Sequence, residues 1–282
     1  MSLQGRVAFV TGAGQGIGKA IALAFAKEGV YLALVARTLS EVEETATNVR
    51  DLGGQVLAVG MDVSRRQEVE ATVASILAEF GRIDILVNNA AVQPPIGPLW
   101  ESDPDEWVRT ILINLGGVFL CCRAVVPVMI RQGGGKIINL SGGGATSARP
   151  YFSAYAASKA AVVRLTETLA QEVKEHNIQV NAIAPGPVST RMTEQVLAAG
   201  TAAGERALGE ARRTKQKGTQ AQAATELAVF LASEESAGLT GRLISAVWDS
   251  WRTFPLRFQQ IMNSDLYTLR RITADSSSGG RT

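Results

Sequence analysis

The sequence lacks almost everything that would brace a fold by covalent or metal chemistry. Its only two cysteines are neighbours, Cys121 and Cys122. A disulfide framework is thereby excluded, which fits a reducing, cytoplasmic setting. A single histidine, His176, leaves no set of ligands for a zinc site. An excess of one charge is also missing, because 28 basic residues stand against 26 acidic ones. That balance argues against nucleic acid or an anionic membrane as partner. No uninterrupted apolar run reaches the roughly 18 residues of a membrane span. The N-terminus, Met1 to Arg6, carries no apolar signal core.

What remains is a balanced, apolar chain (46% hydrophobic residues) in which short β-branched runs alternate with longer helical patterns. Strands are expected at Val7–Thr11, Val30–Ala36, Gln55–Met61, Ile83–Asn88, Lys136–Ser141, Ile178–Ala184 and Gly241–Ala246. Helices are expected at Gly16–Glu28, Ser40–Leu52, Arg65–Phe80, Pro104–Arg131, Tyr151–His176 and Ala221–Ser233. Gly116, Gly117 and Pro127 predict a late bend in the fourth helix. The strands read as continuous apolar runs, as in a parallel sheet covered on both faces. The expected fold is α/β: a Rossmann-like, doubly wound parallel sheet of about seven strands with helices on both faces. Residues 1–247 form one dinucleotide-binding domain in this reading. Within it, 188–220 is an insertion over the carboxyl edge of the sheet, partly helical and mobile. The Ser/Gly-rich tail 273–282 reads as disordered.

The first strand ends in Thr11-Gly12-Ala13-Gly14-Gln15-Gly16-Ile17-Gly18, where a helix begins. Glycines let backbone approach a pyrophosphate, and a helix N-terminus favours its charge. A dinucleotide fold usually carries an acidic residue at the end of strand two, for the ribose diol. Here Ala36 occupies that place and Arg37 follows. A guanidinium suits a 2′-phosphate, which favours NADP(H) over NAD(H). Asp62, ending strand three, either reaches an adenine amino group or, like Ser64, serves the start of the next helix.

Tyr155-Ala156-Ala157-Ser158-Lys159 falls inside a predicted helix, so Tyr155 and Lys159 share one face. A phenol of pKa about 10 moves protons poorly at pH 7, and a nearby ammonium lowers that value. Alone, the pair is also an ordinary surface pattern.

Together these motifs resemble the short-chain dehydrogenase/reductase family, single-domain type, close to its 3-oxoacyl-reductase members. The resemblance runs from about residue 5 to 247. It rests on the glycine turn, Asp62-Val63, Asn88-Asn89-Ala90-Ala91, Asn114, Tyr155 to Lys159, and Pro185-Gly186-Pro187-Val188-Ser189-Thr190. It implies hydride transfer between nicotinamide and a small-molecule carbonyl or alcohol, in a homodimer or homotetramer. Tyr155 would be the general acid/base. Lys159 would hold ribose hydroxyls and depress the tyrosine pKa. Asn114 would hold a water through its local backbone. The cofactor would be bound by Gly12, Gln15, Gly16, Ile17, Gly18, Arg37, Asp62 and Val63. Asn88 and Ala90 would line its adenosine side, and Pro185, Gly186, Val188 and Thr190 its nicotinamide side. The family's substrate-orienting serine falls at Gly142 here. Ser141, one residue early, is the expected substitute, with Ser147, Ser153 or substrate groups as alternatives.

Two readings compete with an enzyme of this kind. One is a non-catalytic dinucleotide sensor or scaffold; the other is an isomerase or dehydratase that retains its cofactor. The basic cluster Arg206, Arg212, Arg213, Lys215 and Lys217 reads as a solvated face, with attraction of an acidic substrate as the alternative. The aromatic-rich stretch 248–272 must bury somewhere: on its own domain, across a subunit interface, or over an active site.

Overall fold

The computed structural model describes residues 3–218 and 221–271. The expected disordered tail therefore lies outside the described residues. The chain opens with β1 (Val7–Thr11), α1 (Gly16–Lys27), β2 (Tyr31–Ala36), α2 (Leu39–Asp51), β3 (Val56–Gly60) and α3 (Arg66–Phe80). It continues with β4 (Ile85–Asn88), α4 (Pro104–Ile111), α5 (Gly117–Arg131), β5 (Gly135–Leu140), α6 (Ser153–Glu172) and β6 (Ile178–Ala184). The last elements are α7 (Arg191–Ala199), α8 (Glu205–Lys217), α9 (Gln222–Ala232), β7 (Leu243–Ser245) and α10 (Phe258–Met262).

The seven strands form one sheet in the order β3-β2-β1-β4-β5-β6-β7, with every pair parallel. β1 is buried along its whole length, as a strand covered on both faces must be. On one face, α1 and α9 pack Ile21, Phe25, Leu227 and Phe230 against the sheet. On the other, α3, α5 and α6 contribute Ile76, Val125, Met129 and Val162. The strand order reverses between β1 and β4. That switch point opens a crevice at the carboxyl ends of the strands, where ligands of such sheets bind.

Three expectations change. The fourth helix is interrupted at Leu112–Gly116, a π turn that ends at Gly116 and Gly117 of the expected bend, while α5 runs on through Pro127. The turn centres on Asn114, whose side chain takes both backbone groups of Val92 (2.8 and 2.9 Å). The combined stretch Pro104–Arg131 is also long and apolar enough to cross a membrane by length and composition. In this fold that apolarity fills the core instead, through Cys121, Cys122, Val125 and Met129. Finally, α6 begins at Ser153, because Tyr151 adopts φ +70° and cannot be helical.

The 188–220 segment holds α7 and α8. They cover a small apolar cluster of Phe152, Tyr155, Val196, Ala203 and Ala211. The aromatic extension packs on its own domain. Trp251 meets Phe230 at 5.4 Å and Phe254 meets Tyr267 at 4.9 Å between ring centroids. Arg242 pins it by donating to the carbonyls of Ile261, Met262 and Leu266.

Candidate active site

The glycine turn sits in the crevice, locked to the end of β4. Thr11 Oγ1 donates to the Val87 carbonyl at 3.3 Å and accepts from the backbone of Asn89 and Ala90 at 3.0 and 3.1 Å. Asn89 Nδ2 returns bonds to the carbonyls of Thr11 and Gly12, both at 3.0 Å. A Cβ on Gly18 would lie 2.2 Å from the Gly12 carbonyl oxygen, so only glycine permits this close turn. Gln15 caps α1 without a side-chain bond, and the first helical turn has no acidic residue. Ile17 packs against the core beneath. The N–H groups at this helix end are thus free of a side-chain cap and suit an anion.

Asn88 and Asn89 divide the end of β4 between core and crevice. Asn88 turns into the core, where Nδ2 donates to Asn139 Oδ1 at 2.8 Å and approaches Cys122 Sγ at 3.4 Å. Its side chain is committed there, and Asn89 makes the contacts at the crevice. Cys121 and Cys122 are inert: burial pushes both thiols up, Cys122 to about 12.

Arg37 is exposed immediately after β2, and among the described residues it forms no ion pair. Asp62 Oδ1 accepts from Ser64 N and Oγ at 2.9 and 2.7 Å. Burial alone would raise that carboxyl. The Ser64 bonds, with the charges of Arg37 and Arg65, hold it below its ordinary value. Val63 is clasped by Gly117, whose Cβ would approach it to 2.7 Å. Farther along, Thr190 and Thr193 form a capping box at the start of α7, and Thr193 Oγ1 also reaches the Val188 carbonyl at 3.1 Å. Gly186 lies under Val247, and Thr190 leans over Gly16. Arg191 pairs with Glu41 of α2 at 2.8 Å, so the start of the lid is tied across the glycine turn.

Tyr155 and Lys159 lie one helical turn apart on α6, both buried. Lys159 Nζ donates to the Leu140 carbonyl at 2.7 Å and stands 5.6 Å from the Tyr155 ring centroid. Ser158 between them links Asn114 (3.0 Å) to the Tyr155 carbonyl (2.7 Å). The π turn is thereby tied to the backbone of α6 between Tyr155 and Lys159. Burial brings Lys159 down to about 8. Burial also pushes the Tyr155 hydroxyl up, against the opposing charge of Arg149. Arg149 and Lys159 both stand near the phenol, at 5.3 and 5.6 Å from its ring centroid, and the charge of Arg149 opposes the upward push.

Ser141 does not take the expected place. It is buried, and its hydroxyl donates to the Lys159 carbonyl at 3.4 Å. The residue facing the phenol is Gly142, whose Cβ would lie 2.5 Å from Tyr155 Oη. The tyrosine occupies space that a side chain at 142 would claim. Ser153 is also committed, as acceptor for Trp107 Nε1 at 3.0 Å, and Ser147 is exposed. Sequence reasoning missed Asn89 and Arg149. The first had a signal, its place directly after β4. The second sits in a turn without periodicity.

These residues fit a nicotinamide dinucleotide: a crowded glycine turn and an uncapped helix end, with an exposed guanidinium just after β2. The comparisons with known proteins decide the family. The sequence model of the short chain dehydrogenase family matches residues 6–200. The chain belongs to the short-chain dehydrogenase/reductase family. This short-chain dehydrogenase/reductase is 36% identical over 246 residues to the 3-oxoacyl-[acyl-carrier-protein] reductase FabG of Thermotoga maritima, covering 86% of the chain and 97% of the relative. It is 40% identical over 246 residues to the short-chain reductase NovJ of Streptomyces niveus, covering 86% and 92%. Among solved structures, NAD+-bound xylitol dehydrogenase superposes with TM-score 0.81 at 30% identity, covering 87% of this chain and 98% of that one. An actinorhodin polyketide ketoreductase variant with NADPH gives 0.79 at 32% identity, covering 87% and 97%. The protein is thus a nicotinamide-dependent oxidoreductase that transfers hydride.

Proposed function

We propose that the protein is an NADP(H)-dependent reductase of a carbonyl group, and the reverse alcohol dehydrogenase, with Tyr155 as its general acid/base. The carrying observation is the buried Tyr155 hydroxyl. It lies against Gly142, where a Cβ would come within 2.5 Å of it, one helical turn from Lys159, in the cluster that the apolar lid residues Met192 and Leu197 pack against. Arg37, unpaired among the described residues at the end of β2, supports the choice of NADP(H). Bound reduced nicotinamide supplies the hydride. Tyr155 gives its hydroxyl proton to the carbonyl oxygen, so the carbonyl becomes an alcohol; in oxidation the phenolate takes that proton back. Burial keeps the phenol neutral, the state a donor needs. Lys159, held by the Leu140 carbonyl, would bind the ribose hydroxyls and supply protons to the site. Asn114 fixes that geometry through Ser158 and Val92. Gly12, Gln15, Gly16, Ile17 and Gly18 would hold the pyrophosphate, while Pro185, Gly186, Val188 and Thr190 would border the nicotinamide. Ser141 serves as a support for the Lys159 backbone and does not touch substrate.

The test follows NADPH absorbance with a panel of ketones, β-ketoesters and aldehydes. Tyr155→Phe is expected to lower kcat by roughly 10²–10⁴-fold, with NADPH affinity nearly unchanged. Turnover by the variant at the wild-type rate would contradict the assignment.

A further inference from the structure

The active site contains a cation that the proposed reaction does not use. Arg149 lies over the Phe152 ring at 4.1 Å and over the Tyr155 ring at 5.3 Å. The turn that carries it is fixed at both ends. Phe152 is fully buried, and the Tyr151 carbonyl accepts from Gly97 N at 2.9 Å. The glycine triplet makes room for this arrangement. A Cβ at Gly142 would press on Tyr155 Oη, one at Gly143 would sit 3.5 Å from Arg149 Nη1, and one at Gly144 would sit 3.2 Å from Arg149 Cβ. Three consecutive glycines thus leave a phenol and a guanidinium side by side along one wall.

The guanidinium is poorly supplied with acceptors. With the Gln93 amide turned so that its oxygen accepts, that oxygen lies 3.0 Å from Nη2. Among the described residues Arg149 makes no ion pair. Glu210 of α8 is the carboxylate whose charge reaches it, but Glu210 already pairs with Arg206 at 3.1 Å. A guanidinium offers five N–H donors, and aromatic faces use none of them as a lone pair would. Arg149 is half-buried, and a charge-assisted bond to it is stronger there than in bulk water. A carboxylate on this guanidinium would lie beside position 142, where glycine leaves out the donor usually supplied by a serine.

We propose that Arg149 is a specificity-determining residue that takes a carboxylate carried by the ketone substrate. This rests on the reading of Tyr155 as proton donor. The planar fork binds the two carboxylate oxygens, as arginine does best. That contact sets the ketone oxygen at the Tyr155 hydroxyl and replaces the orienting role of the serine. The phenol and the guanidinium face adjacent loop residues, whose Cα atoms stand about 3.8 Å apart. The two substrate oxygens are then close, as in a 2-oxo or 3-oxo acid.

The test compares phenylglyoxylate and 3-oxohexanoate, each with its methyl ester, as substrates with NADPH. Wild type is expected to favour the better acid over its ester by about 10–100-fold in kcat/KM, mainly through KM, the span of a charge-assisted contact. Arg149→Gln should bring that ratio to about one, and Arg149→Lys should restore part of it, because a point charge replaces the fork. Glu210→Gln should keep the wild-type ratio. Equal losses on acid and ester in Arg149→Gln would make the residue structural and overturn the proposal. A collapse of the ratio in Glu210→Gln would make Arg149 a lid latch and overturn it equally. Esters reduced as well as acids by wild type would overturn this inference alone. Turnover of neither, or turnover surviving Tyr155→Phe, would bring down the reaction assignment as well.

Discussion

Two buried lysines stand on or against β5, and only one has a partner among the described residues. Lys159 donates to the Leu140 carbonyl; Lys136 Nζ finds no acceptor. Burial lowers both to about 8 from 10.5, in Lys136 with Glu234 opposing the fall and Arg6 adding to it. Below pH 8 Lys136 is charged in both folded and unfolded chains, and folding carries the full burial cost. Between pH 8 and 10.5 the unfolded chain holds the extra proton, so the native lysine's penalty fades. Lys136→Met is therefore expected to raise Tm by several degrees at pH 7, with the gain shrinking toward pH 10; thermal melts across that range check it. A gain that stays constant with pH would contradict it. Arg37 is the second residue whose isolation matters. Arg37→Ala should lower the NADPH-over-NADH ratio of kcat/KM by roughly 10–100-fold, the span of a charge-assisted bond. An unchanged ratio would remove it from the 2′-phosphate.

At the scale of elements, the β-α rhythm was legible because parallel strands buried on both faces leave continuous apolar runs. Each expected strand appears within a few residues of its place. Helix interiors were equally readable, but their irregular points only in part. Gly116 and Gly117 marked the end of the π turn. Pro127 drew attention too, yet α5 absorbs it, and the break centres on Asn114, where a side chain competes for the backbone of Val92. Tyr151 looked like a helix start because nothing in its chemistry announces a positive φ. The site divides in the same way. The glycine turn, Tyr155 and Lys159 were readable because their chemistry needs fixed spacing along one element. Which of Asn88 and Asn89 faces the crevice depends on alternation along β4 relative to β1, which only packing fixes. Ser141 failed for that same reason: one residue's shift at the end of β5 turns a hydroxyl from the pocket to the Lys159 backbone. Arg149 was invisible because its meaning comes from a turn folded back over Phe152.

For the whole molecule, the extension 248–271 is the main departure from a minimal sheet-and-helix body. Trp251, Phe254 and Ile261 join the same core cluster as Phe25 and Phe230. Phe254→Ala should cost about 3–5 kcal/mol, seen as a lower denaturant midpoint, while kcat/KM under native conditions stays close to wild type. A loss below about 1 kcal/mol would mean that the extension rests on the domain without contributing to its core. The same segment changes the border of the sheet. β7 is an outermost strand, and such strands present open N–H groups to any extended chain nearby. Here the outward amide of Leu243 is taken by the Tyr267 carbonyl at 2.8 Å, and that of Ser245 by Asp249 at 2.6 Å. With both donors occupied, that margin is closed to strand-on-strand growth between copies. A chain ending after β7 would keep its crevice but bare an adhesive seam.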